Sequence, residues 1–131
     1  MMYNIEFSNL ANKDFDKTID YIHNTLRNPY AAFQLGTLAE STINSLTIFP
    51  YKHQLVQDTF LLLYQIRYIK VKNYLVIYTV SEENKIVYIV RFLYSRSNWK
   101  NILRNSIQYD EHISEKTGGY VHEEQEEYGK K

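Results

Sequence analysis

From Ser8 onward the apolar positions recur with a helical period. Leu10, Phe15, Ile19, Ile22 and Leu26 fall near every 3.6 residues, with Lys13, Asp16, Lys17 and Asp20 on the other faces. Ahead of this stripe Tyr3 to Phe7 alternates in character and suits a short strand, and Ser8 is a helix cap. Asn28-Pro29 opens a second helix, because proline at the first helical position loses no hydrogen bond, and Ala32, Leu35, Ala39, Ile43 and Leu46 carry its apolar stripe to Phe49-Pro50. Helices joined this closely fold back as an antiparallel hairpin. Residues 51–62 have no period and read as a connection. From Leu63 the pattern turns to β-formers in LYQIRYIKVK, NYLVIYTV and KIVYIVRFLY, with SEEN as turn chemistry before the last. The predicted order is β-α-α-β-β-β, an α+β fold in which the helical hairpin packs on one face of a small antiparallel sheet. A short helix from Trp99 and a polar tail follow, and the second sheet face is left to water or to a partner.

Composition sharpens this picture mainly through charge. The chain of 131 residues is the size of one domain, expected over residues 1–109, and a net charge of zero conceals an uneven distribution. Residues 1–63 carry four Lys/Arg against six Asp/Glu, residues 64–109 carry eight against two, and residues 110–131 carry three against seven. The basic segment favours polyanions or acidic proteins, although cations on a wet strand face also guard a sheet edge against aggregation. The acidic stretch from residue 110, with Gly118-Gly119 and the run Glu123 to Glu127, is expected to be a flexible tail. Absence of cysteine excludes disulfides and thiolate chemistry, and four scattered histidines give no metal spacing, so neither metal nor cofactor is expected. With no long apolar run and no signal-like start, a soluble cytoplasmic protein without membrane contact is expected.

Five stretches, FSNLANKDFDKTIDYI, NPYAAFQL, LTIFP, IRYIKVKNYLVIYTV and VYIVRFLYSRSNWKNIL, stand in an order that resembles the RelE/ParE superfamily of bacterial type II toxins, and they span residues 7–103. The resemblance implies a plasmid-stabilisation or addiction-module toxin, silenced by a cognate antitoxin and acting on DNA gyrase or on ribosome-bound mRNA. In the mRNA-cleaving branch, metal-free catalysis uses Lys and Arg to activate a 2′-hydroxyl and to stabilise developing phosphate charge. That branch typically has Arg after the motif tyrosine of the central strand, whereas here Tyr74 is followed by Leu75. The departure favours a ParE-like gyrase inhibitor over a RelE-like endoribonuclease. A toxin-like module that retains only antitoxin binding is a third reading.

Arg96 matches the arginine that follows the last strand in the cleaving branch, and Tyr94 stands where relatives often have histidine. These two are the candidate catalytic residues. Lys70 and Lys72 are candidate phosphate contacts, expected on one strand face with Arg67 on the other. Arg91 groups by alternation with Val87, Ile89 and Leu93, so it needs a buried carboxylate, Asp14 or Asp16. Trp99 is expected to pack under the sheet edge. Tyr21, Tyr30, Phe33 and Leu38 lie off the buried stripes and form a candidate antitoxin surface, since relatives are wrapped by an antitoxin helix and an added strand. A homodimer is the alternative occupant of these aromatics, and the acidic tail is an internal alternative for covering the basic surface.

Overall fold

In a computed structural model that describes residues 2–108, the chain enters through β1 (Asn4–Phe7) and turns at Ser8 into α1 (Asn9–Asp20). The tail expected from residue 110 lies outside the described residues. Ser8 fastens helix to sheet: its Oγ accepts from Ala11 N at 2.9 Å and donates to Val90 O at 2.7 Å. A π-turn, Tyr21–Thr25, ends the helix, with Leu26 N donating to Tyr21 O. The wider turn rotates Leu26 out of the stripe, leaving it 55% exposed. Leu10 is exposed as well, because the face that meets the sheet is centred on Ala11, Asp14 and Phe15. α2 (Pro29–Ser45) begins where the sequence places it, with Asn28 Oδ1 accepting from Ala31 N, and all five stripe residues from Ala32 to Leu46 are buried.

Three further strands, β2 (Arg67–Val71), β3 (Tyr74–Ser81) and β4 (Ile86–Tyr94), form the expected antiparallel meander. The sheet order is β1-β4-β3-β2, and β1 runs parallel to β4, so the sheet is mixed and not purely antiparallel. Alternation along a strand fixes which residues share a face but not the direction of the neighbouring strand. The hairpin face is closed by Leu35, Ala39 and Ile43 against Val76, Val87, Ile89 and Phe92.

The opposite face is also covered, contrary to the expectation of an open one. Val56, Leu61, Tyr64 and Ile66, together with Leu103 and Ile107 of α3 (Trp99–Gln108), bury Leu75, Ile77, Val90 and Leu93. Val56 and Leu61, in the segment read as a connection, join this core through turns that have no hydrophobic period to reveal them, and Tyr64 and Ile66 join it ahead of β2, which starts at Arg67 and not at Leu63. Trp99 packs at its margin, its ring 5.8 Å from that of Tyr68.

A register shift between Ile77 and Tyr78 places Arg91 opposite Ile77 and Ile89 opposite Tyr78. Arg91 is thereby removed from the face of Val87 and Ile89, and Phe92 takes the hairpin side instead. The guanidinium meets Asp14 through two bonds, Nε to Oδ2 at 2.7 Å and Nη2 to Oδ1 at 2.8 Å, and also donates to Ser106 Oγ. Asp14 Oδ2 accepts in addition from Phe92 N at 3.0 Å, on the strand edge beyond the end of β1. One carboxylate therefore joins α1 to β4, and Arg91 extends the link to α3.

At the far end of the sheet Glu82 Oε1 accepts from the hydroxyls of Tyr3 (2.7 Å) and Tyr51 (2.9 Å), and Lys85 pairs with the same carboxylate. Lys85, Tyr3 and Tyr51 together hold the Glu82 carboxyl down at about 2, from an ordinary 4.5. Arg104 and the Leu61 amide lower Asp58 in the same direction. A depressed carboxylate stabilises the fold above its unfolded pKa, and that contribution is lost as pH falls through the folded value. Stability should therefore decline from about pH 4.5 toward pH 2. Glu82→Gln should make the decline shallower in urea titrations across this range; an unchanged slope would remove Glu82 from the acid response.

Candidate functional site

The eight cations of residues 64–109 are not equivalent once folded. Arg67 donates to His53 O at 2.6 Å and covers the Tyr51 ring, Lys85 pairs with Glu82, and Arg91 pairs with Asp14. Arg104 pairs with Asp58, and Lys100 reaches Gln57 O and lies over Trp99. Five cations thus hold the fold, and eight less five leaves Lys70, Lys72 and Arg96. All three are exposed, with no hydrogen bond or ion pair among the described residues.

Backbone pairing collects two of them at one corner. Val71 pairs with Tyr74, so Lys72 and Asn73 form a two-residue loop in which Lys72 has φ 57°. Tyr74 pairs with Tyr94, and Ser95 N donates to Asn73 O at 2.7 Å, which docks the loop carrying Arg96 onto the loop carrying Lys72. Lys70 stands on edge strand β2 opposite Leu75. Lys72 is therefore a loop residue and does not share a strand face with Lys70, as the sequence reading had it. The corner is fixed by main-chain bonds, while its cationic ends face water.

An aromatic column supports the same corner from the hairpin side. Phe15 stacks on Phe92 at 4.1 Å, Phe92 on Tyr74 at 5.1 Å, and Tyr74 meets Tyr94 at 5.5 Å. Burial pushes the Tyr74 hydroxyl up, and Tyr94 and Tyr21 add to the shift. Tyr21 therefore belongs electrostatically to this corner as well as to the hairpin. Tyr94 ends the column 42% exposed. The column escapes sequence reasoning because Phe15, Phe92 and Tyr74 lie in three elements; the one available signal was the density of aromatics in Tyr74 to Tyr94.

Leu75, at the position that departs from the cleaving pattern, is 4% exposed and points into the core beneath α3. No carboxylate or imidazole is hydrogen-bonded to Tyr74, Tyr94 or Arg96 among the described residues. Those residues also contain no group of three His, Asp or Glu placed to hold a metal. No helix among them is long and apolar enough to cross a membrane.

The remaining candidates lie on the helical hairpin. Tyr30 and Phe33 are 70% and 71% exposed on the outer side of α2, Tyr21 is 50% exposed, and Leu38 is less so at 39%. Between α1 and α2 runs a groove of about 370 Å³ lined by Phe15, Asp16, Gly36 and Glu40, among others. A second depression beside it shares Gly36 and Glu40 and adds Phe33 and His23.

Residues 5–99 match the model of the ParE toxin of the type II toxin-antitoxin system parDE, and the chain belongs to that toxin family. Among solved structures it is similar to the toxin-antitoxin complex RelBE2 from Mycobacterium tuberculosis, with TM-score 0.52 and 16% identity over 72% of this chain and 99% of the other. It is also similar to the chromosomal ParDE system of P. aeruginosa, with TM-score 0.57 and 14% identity over 71% of this chain and 96% of the other. At these identities the two structures establish the RelE/ParE fold alone. No curated protein sequence matches the chain.

Proposed function

We propose that this toxin arrests bacterial growth by inhibiting DNA gyrase through a protein surface, the corner of Lys72, Tyr94 and Arg96 together with Lys70 on the adjoining edge strand β2. The observation that carries the reading is a set of cations to which no base bonds among the described residues. Cleavage at a 2′-hydroxyl needs a proton acceptor near neutral pH. Tyr74 is raised further above its ordinary value of 10, no imidazole or carboxylate among the described residues bonds to the corner residues, and Leu75 is committed to the core. Exposed Arg beside an exposed aromatic, on rigid main chain, is instead the composition of a binding hot spot. The three unpartnered cations also favour a second reading, a RelE-like ribosome-dependent endoribonuclease in which they would neutralise phosphate.

Pulse labelling after induction separates the two. Gyrase inhibition should stop thymidine incorporation first, whereas cleavage of ribosome-bound mRNA should stop leucine incorporation first. Growth unaffected by verified folded protein would leave only a binding module.

A cognate antitoxin is proposed as the partner of the hairpin, docking a helix along the α1–α2 groove and the depression beside it that holds Phe33, with exposed Tyr21, Tyr30 and Leu38 as further contacts. Gly36 supports this. Among the described residues a Cβ built there meets only Ile19 Cδ1, at 3.8 Å, an ordinary contact. Packing within the chain therefore does not require glycine, which costs about 1 kcal/mol relative to alanine inside a helix. Its bare backbone is useful to something that approaches from outside. Gly36→Ala should raise the unfolding free energy of the isolated toxin by up to about 1 kcal/mol and weaken antitoxin binding in calorimetry. A variant that is less stable, or that binds antitoxin equally well, would argue against this use of the groove.

A further inference from the structure

Helix α2 carries one charged residue among its seventeen, Glu40. Its exposed side is otherwise aromatic, aliphatic or neutral, with Tyr30, Phe33 and Leu38 facing outward. Glu40 stands four residues after Gly36 and so shares its face, and it lines both the α1–α2 groove and the depression beside it. The other wall of the groove belongs to α1, which supplies Asp16 one turn after Asn12, while Asn44 stands one turn after Glu40 on α2. Each wall thus carries a carboxylate and an amide, around apolar Phe15, Ala39 and Ile43. None of these four polar side chains makes a hydrogen bond or ion pair among the described residues. Lys13 and Lys17 flank Asp16 along α1, yet neither lines the groove nor pairs with it.

Two acids across an apolar cleft decide the sign of what fills it. An anionic or wholly apolar occupant would desolvate both carboxylates without pairing them, which is costly. A lysine or arginine side chain offers an aliphatic stem to Phe15 and Ile43 and a cationic head to Asp16 and Glu40. The neighbouring depression is mainly apolar, with Ile19, Ala32 and Phe33, and Gly36 belongs to both. An occupant that crosses Gly36 therefore passes from an apolar seat to an acidic one, and successive turns of a helix, about 5.4 Å apart, present such a pair of side chains. We infer that the helix received by the hairpin carries a lysine or arginine that reaches between Asp16 and Glu40, one turn from an apolar residue seated against Phe33, so that the two carboxylates select the antitoxin by charge. This rests on the reading of the groove as the antitoxin surface and deepens it.

The test uses the full chain and the antitoxin that co-purifies with it. The double variant Asp16→Asn, Glu40→Gln keeps side-chain shape and should melt as the wild type does, yet its dissociation constant for antitoxin should rise about tenfold or more at low salt. The difference should shrink at about 1 M salt, where the screening length is about 3 Å. Charge reversal supplies a second arm: immobilised Glu40→Lys toxin should fail to capture wild-type antitoxin, and a set of antitoxins with each Lys and Arg changed singly to Glu should contain at least one member that it captures. Unchanged affinity of the double variant, capture of wild-type antitoxin by Glu40→Lys, or a set with no compensating member would each overturn the inference. Gly36→Ala reports on the groove separately. Weakened binding by that variant, beside unchanged affinity of the carboxylate variant, would strike out selection by charge and keep the groove as the antitoxin site.

Discussion

Asp14→Ala should destabilise the protein by about 3–5 kcal/mol, the cost of stranding the partner of a buried ion pair. At roughly 4–8 °C per kcal/mol for a domain of this size, the melting temperature should fall by about 15 °C or more. Burial sets the scale: the side chains of Arg91 and Asp14 are only 13% and 10% exposed. The substitution also leaves the Phe92 amide without its acceptor. Asp16→Ala, on an exposed position of the same helix, should change stability by less than about 0.5 kcal/mol. Arg91→Ala should cost a comparable amount to Asp14→Ala, and the double variant much less than the sum of the two, because each single change strands the other group. Additive losses in denaturant titrations would show that the two residues act independently.

The second large effect concerns activity. Changing Lys70, Lys72 and Arg96 together to Ala should abolish growth arrest without loss of folding, since none of the three makes a hydrogen bond or ion pair among the described residues. Arg96→Ala alone should weaken target binding by about 30-fold, the equivalent of the roughly 2 kcal/mol that marks a hot-spot side chain. Lys13→Ala, which removes an exposed cation from α1, is the control for net charge. Arg104 is a poorer control, because its pairing with Asp58 would confuse a loss of stability with a loss of function. Growth arrest that survives the triple change, measured at equal levels of soluble protein, would move the target surface elsewhere.

Periodic features were readable in the residues, and features made by juxtaposition were not. The α2 stripe from Ala32 to Leu46 and the cap at Asn28 depend on local spacing, and both are found as read. The pairing of Arg91 with α1 followed from the cost of placing a guanidinium on an apolar strand, but the face assigned to it was wrong because the register shift at Ile77/Tyr78 leaves no mark in an unbroken run of β-formers. Leu26 moved out of its stripe for a related reason: a π-turn changes helical phase without a residue type that announces it. Val56 and Leu61 enter a second core from a segment without period, and Tyr64 and Ile66 enter it from residues read as strand, because the 3-10 turn Leu61–Tyr64 delays β2 to Arg67. The site was readable as a list of cations, not as a choice among them. Charge counting gave eight Lys/Arg, and only the carboxylates and carbonyls that meet Arg67, Lys85, Arg91, Lys100 and Arg104 in space single out Lys70, Lys72 and Arg96. The loop position of Lys72 likewise depended on where β2 stops.

The most direct measurement of the central claim is a gyrase supercoiling reaction titrated with the purified toxin, run beside a primer-extension assay of mRNA on programmed ribosomes. The expected result is dose-dependent loss of supercoiled plasmid, relieved by stoichiometric antitoxin and absent for the triple variant, with intact mRNA at every dose. Unimpaired supercoiling together with new mRNA ends at the ribosomal A site would contradict it.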